Sequence, residues 1–134
     1  VNTIPSTKGR ILVIDDYPSI LVAFEFYLPT IGYAAVTAYD GRSGLEALAQ
    51  GGIDLVLVDM DMPAMGGVAF CQAVKGNPDH RHIPVIMMTG RVTREARERG
   101  LAAGAREVVT KPFDFRRLEA LIADCVKPMA EAAM

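Results

Sequence analysis

Two cysteines, Cys71 and Cys125, stand far apart among 134 residues and make no disulfide framework. Cys125 falls in line with Leu118, Leu121 and Ile122, which predicts a small buried side chain on the core face of a helix. The simplest compartment for such thiols is a reducing cytoplasm. No apolar run approaches the roughly 20 residues needed to span a bilayer, and the polar start VNTIPSTKGR has no signal-peptide character. Basic charge is not in excess. A net charge of −2 argues against direct nucleic-acid binding, which calls for a positive surface. Charged residues reach only 22% and apolar ones 51%, so the chain has a core to bury and no disordered composition. Its length suits one domain.

Three continuous apolar runs stand out: Ile11 to Ile14, Leu55 to Val58 and Val85 to Met88. They are rich in β-branched residues and do not alternate, as strands buried on both faces of a parallel sheet do. Weaker candidates, Ala34 to Ala38 and Arg106 to Thr110, bring the strands to five. Helical patterns lie between them. Pro18 opens the first, with Ile20, Leu21, Phe24 and Leu28 on one face and Pro29 and Gly32 as stops. Asp40, Thr93 and Asp114 are candidate N-caps of the second, fourth and fifth. The third runs from about Gly67 to Lys75, with Val68, Cys71 and Val74 on one side. Ala130 to Met134 reads as a frayed helix tail. Five strand–helix alternations predict an α/β domain with helices on both faces of a parallel sheet.

The polar residues at the end of each run carry the chemistry. The first run ends in Asp15-Asp16, the second in Asp59, the third in Thr89, and the last strand in Lys111-Pro112. Parallel strands deliver their carboxyl ends to one edge, where ligands bind at the topological switch point. Three carboxylates, a hydroxyl and an ammonium therefore meet in one crevice. Carboxylates so close either share protons or hold a cation, and a few hard oxygen ligands suit magnesium with phosphate as its partner. A carboxylate there can attack phosphorus and form an acyl phosphate, with Lys111 and Thr89 steadying the phosphoryl oxygens.

The segments ILVIDD, DLVLVDMDMPAMGG, IPVIMMTG and TKPF resemble the signature blocks of bacterial response-regulator receiver domains, over about Arg10 to Val126. The resemblance implies a (βα)5 flavodoxin-like three-layer sandwich with a five-stranded parallel sheet. It implies Asp59 as the phosphoacceptor, with Mg2+ held directly by Asp16 and Asp59, largely through water by Asp15, and by the backbone carbonyl of Asp61. Thr89, followed by Gly90, and Lys111 match the phosphate-sensing hydroxyl and lysine, and Lys111-Pro112 matches a bond usually cis. Pro63 and Gly66-Gly67 fit the loop after the acceptor strand. The implied donor is a histidine kinase or a histidine phosphotransfer protein. The implied output face joins the fourth helix, last strand and fifth helix. Residues 10–127 then form the receiver, 1–9 an N-terminal extension or linker, and 128–134 a C-terminal tail. Such a domain catalyses its own phosphorylation and dephosphorylation without being an enzyme in the usual sense.

Two positions depart from that pattern. Val108 stands where an aromatic residue is usual, three positions before the lysine, which predicts a weak response of the output face or another route. Asp61, two residues after the acceptor, is placed to influence hydrolysis. Residues 91–117 carry eight basic and four acidic residues, suiting either a solvated mixed face or a partner surface. His80 and His82 lack neighbours with ligand character. Asp59-Met60-Asp61 also resembles the first motif of haloacid-dehalogenase phosphatases, but those need an acidic cluster after the lysine, where only Asp114 stands. A receiver-like interaction module that is never phosphorylated is the other alternative. Nothing after Val126 is long enough for an output domain. Val1 in place of methionine, with the linker-like stretch from Asn2 to Gly9, favours slightly a domain of a longer protein.

Overall fold

Each continuous apolar run becomes a strand buried on both faces, because helices cover the sheet from both sides. The computed structural model describes residues 7–91 and 93–126. In chain order the elements are β1 (Gly9–Ile14), α1 (Pro18–Thr30), β2 (Tyr33–Ala38), α2 (Gly41–Ala49), β3 (Leu55–Asp59), α3 (Gly67–Gly76), β4 (Val85–Thr89), α4 (Arg94–Ala102), β5 (Glu107–Thr110) and α5 (Phe115–Cys125). All neighbouring strands pair in parallel, in the order β2-β1-β3-β4-β5. This is the flavodoxin-like (βα)5 architecture that the motifs implied. The order reverses between β1 and β3, so a switch point opens at their carboxyl ends.

The period-2 side-chain alternation of the strands divides the interior in two. Leu12, Ile14, Val56, Val58, Met87 and Val108 face Leu48 of α2, Phe70, Cys71 and Val74 of α3, and Ala96 of α4. Ile11, Val13, Leu55, Leu57, Ile86, Met88 and Val109 face Phe24 and Leu28 of α1 and Leu118 and Ile122 of α5. Fully burying each such aliphatic side chain contributes about 1.5–3 kcal/mol, and a one-residue slip of any strand would exchange the two sets.

The predicted caps form. Asp40 accepts from the Ser43 amide, Thr93 from that of Ala96, and Asp114 from those of Arg116 and Arg117. Two expectations need correction. Pro29 does not stop α1 but sits in its last turn. The chain leaves the helix after Thr30, where Ile31 caps it and Gly32 takes φ +96°. Cys125 is half-buried rather than in the core proper, packing at the edge of the α1–α5 side, whereas Cys71 is fully buried. The readings of residues 1–6 and of the tail from 127 onward lie outside the described residues. Among the described residues no helix is long and apolar enough to cross a membrane.

Candidate functional site

The carboxyl ends of β1, β3 and β5 bring the acidic residues and the lysine together. Asp15 follows β1 and still belongs to the sheet, its amide donating to the Ala38 carbonyl at 3.2 Å. Its side chain is fully buried, with Oδ1 accepting from the Tyr17 amide at 3.0 Å and Oδ2 from Lys111 Nζ at 2.8 Å. Asp59 ends β3, only 3% exposed, and its Oδ1 lies 3.3 Å from the same ammonium. Asp16 completes the group. Each of Asp15, Asp16 and Asp59 offers a carboxylate oxygen within 4.8 Å of the others.

Backbone geometry holds this arrangement. The Met60 amide donates to Met88 O at 2.8 Å and the Lys111 amide to Thr89 O at 2.8 Å, which carries the β3–β4–β5 pairing beyond the strand ends. α3 starts hard against the end of β3. A Cβ on Gly67 would lie 2.8 Å from Asp59 O, and one on Gly66 would lie 2.8 Å from Met60 O. These two positions exclude side chains, so the glycine pair is a packing requirement. Lys111-Pro112 is cis, as the resemblance implied.

Charge decides what the crevice can hold. Three carboxylates against one ammonium leave two negative charges uncompensated. Burial, followed by the Asp15 charge, raises the Asp59 carboxyl above the ordinary range, and Lys111 offsets only part of this. Burial works to lower Lys111, but its hydrogen bond to Asp15 and the two carboxylate charges outweigh it, so the ammonium is held more firmly than usual. Asp16 Oδ1 is buried without a hydrogen-bond partner. A buried carboxylate oxygen with no donor needs a cation or a proton, so the residues present fit a divalent, oxygen-seeking metal ion.

Thr89 ends β4 one strand away, 1% exposed. Its hydroxyl donates to Asp61 Oδ2 at 3.3 Å and accepts from the Arg91 amide at 3.0 Å, while Arg91 Nη2 lies 2.6 Å from Asp61 Oδ1. The Asp61 carboxylate thus faces Thr89 and Arg91. Arg91 was missed by sequence reasoning, since an arginine two residues after a strand has no signature of its own. Tyr17 was missed too; 62% exposed, it places its ring 5.7 Å from Lys111 Nζ. Gly90 is exposed, and a side chain there would meet open space. Val108 is buried on the α4 side of the sheet, its Cγ2 2.6 Å from where a Cβ on Gly100 would stand. Among the described residues His80 and His82 join no cluster of metal-ligating character.

Comparison with known proteins places this geometry. The family model described as the response regulator receiver domain matches residues 11–123. The chain is 37% identical over 127 residues to a probable transcriptional regulator, ycf27, of Guillardia theta, covering 95% of this chain and 49% of that protein. It is 38% identical over 118 residues to the response regulator PleD of Caulobacter vibrioides, covering 85% of this chain and 26% of that protein. It therefore spans from about a quarter to about half of the length of these relatives. Among solved structures it superposes on the Vibrio cholerae chemotaxis protein CheY4 with a TM-score of 0.81, 30% identity, and 87% and 98% of the two chains covered. The signal receiver domain of a histidine kinase from Syntrophus aciditrophicus gives the same TM-score at 32% identity, covering 88% and 89%.

Proposed function

The chain belongs to the response-regulator receiver family, and from that premise we propose that residues 10–127 accept a phosphoryl group onto Asp59 from a phosphohistidine donor. The observation that carries this reading is the environment of Asp59. It is a buried carboxylate beside two others, with a single ammonium 3.3 Å away and a crevice left with two uncompensated negative charges.

In the proposed reaction an oxygen of the Asp59 carboxylate attacks phosphorus in line with the bond to the donor. That bond breaks, its electron pair leaves with the imidazole nitrogen, and an acyl phosphate remains. Lys111 Nζ, already shared between Asp15 and Asp59, turns part of its hydrogen bonding to a phosphoryl oxygen. The Thr89 hydroxyl gives up Asp61 for another phosphoryl oxygen, which loosens the Arg91 side of the loop. Asp16 and Asp59 would hold Mg2+ directly, Asp15 largely through water, and the Asp61 backbone carbonyl would complete the protein ligands. When bound, the ion supplies positive charge to the phosphoryl oxygens. Reversal is by water, which takes the phosphoryl group and returns the carboxylate.

The upstream partner in this reading is a histidine kinase or histidine phosphotransfer protein in the cytoplasm. The downstream partner meets the face of α4, β5 and α5. Intact mass after incubation with acetyl phosphate and magnesium tests the chemistry. A single phosphoryl adduct is expected, absent from Asp59→Asn and without magnesium. An adduct that persists on Asp59→Asn would remove Asp59 as the acceptor.

A further inference from the structure

A second concave site lies beside the acidic crevice and has a different chemistry. Between α4 and β5 a groove of about 420 Å3 is open to solvent, within the size range of small-molecule sites. Val108 supplies its apolar backing, and Thr89 forms part of its wall. Four arginines line it: Arg91, Arg94, Arg97 and Arg117.

Their carboxylate partners are fewer. Arg91 pairs with Asp61 at 2.6 Å and Arg94 with Glu98 at 3.1 Å, while Arg97 at 2.6 Å and Arg117 at 3.9 Å share Glu107. Four guanidiniums against three carboxylates leave one positive charge, and the 3.9 Å contact marks Arg117 as the least engaged. All four arginine side chains are at least half exposed, and a guanidinium carries five N–H donors, so Arg97 and Arg117 can meet a ligand while keeping Glu107, itself only 18% exposed, as their partner. A guanidinium matches carboxylate, sulfonate or phosphate oxygens with two parallel hydrogen bonds.

We infer that this groove is a binding site for a small organic anion, its apolar or planar body against Val108 and its charged group on Arg97 and Arg117. The volume holds one compact group rather than an extended segment, which favours a small molecule over an acidic peptide. The inference does not depend on phosphoryl transfer at Asp59, although Thr89 and Arg91 belong to both sites.

The test is an amide NMR titration of the unphosphorylated full chain, without magnesium or phosphodonor, so that failure of Asp59 chemistry cannot affect it. Naphthalene-2-sulfonate is the probe and uncharged naphthalene-2-methanol the control. Saturable shifts confined to Thr89 to Arg97 and Val108 to Arg117 are expected, at least about tenfold weaker for the neutral compound. Val108→Phe should abolish them by filling the groove, its remaining amide pattern reporting an intact fold. Should that variant not fold, Arg97→Gln with Arg117→Gln removes the charge and leaves the apolar backing in place. Equal affinity for the two compounds, shifts spread over every arginine, or undiminished binding by the double variant would overturn the inference. A pentaaspartate peptide that binds the same amides more tightly than the sulfonate would overturn it in favour of a protein partner.

Discussion

Arg91 Nη2 lies 2.6 Å from Asp61 Oδ1, while the other oxygen of that carboxylate accepts the Thr89 hydroxyl at 3.3 Å. Asp61 therefore holds both the hydroxyl that the proposed reaction turns to a phosphoryl oxygen and the cation that neutralises Asp61 itself. A phosphoryl group on Asp59 adds negative charge nearby, so removing the cation alone should oppose its arrival. Arg91→Ala should slow phosphorylation by acetyl phosphate about 3–10-fold, and adding Asp61→Asn should restore most of the rate. Adduct growth followed by intact mass checks both. Stability should change by less than about 1 kcal/mol, because the pair is roughly half exposed. Asp61→Asn alone should alter the phosphoryl lifetime; an unchanged decay rate would take Asp61 out of the mechanism.

Lys111 is the cation held between Asp15 and Asp59. Lys111→Ala leaves buried carboxylates facing one another and should destabilise the metal-free fold by about 1–3 kcal/mol at pH 7. Urea unfolding in a chelating buffer measures this. Magnesium should recover part of the loss, and a variant as stable as the parent would mean the carboxylates are already protonated.

Asp59→Asn should act in the opposite sense. A carboxyl group with a raised folded value favours folding below its unfolded value, near about 3.9, and that contribution disappears as pH rises through the folded value. Without magnesium the asparagine variant should be more stable than the parent at pH 7, and the difference should close near about pH 3. Adding magnesium should stabilise the parent more than the variant, by about 2.7 kcal/mol at a hundredfold excess over Kd if the variant has lost binding. Thermal unfolding across pH, with and without the ion, separates the two effects.

Ala64, in the loop between β3 and α3, has φ +66°, a left-handed conformation that its Cβ disfavours. Ala64→Gly should relieve this and raise stability by up to about 1 kcal/mol, less the added freedom of the unfolded chain. An unaltered or lower urea midpoint would show the loop to be unstrained at this residue.

Val108 has no ring to reorient if Thr89 turns to a phosphoryl group as proposed. A phosphoryl mimic should therefore shift the amides of Thr89 to Arg91 strongly and those of β5 and α5 weakly. A large, cooperative change through residues 91–118 would count against this expectation.

The sheet was legible because its strands are unusually plain. β1, β3 and β4 are continuous runs that can be stable only with both faces covered, and the residue after each run names its place at the carboxyl edge. Asp15, Asp59 and Lys111 could be placed together on that ground alone. Pro29 misled because proline reads as a stop, whereas the last turn of α1 tolerates it and Gly32 turns the chain. Cys125 misled because a helical stripe predicts a face, and only packing against α1 and the sheet decides how far around that face burial extends.

Composition, run length and the polar residue after each run determine that this chain folds as five strand–helix units with an acidic cluster at one edge. These are local properties, set by side-chain period and by the hydrogen bonding each short segment can satisfy. Which charges meet was decided only by the tertiary structure. Asp61 and Arg91 are 30 residues apart, Lys111 and Asp15 are 96 apart, and Arg97 of α4 and Arg117 of α5 share Glu107 of β5. Electrostatic energy depends on distance in space and on burial, and neither is written in the spacing of residues along the chain.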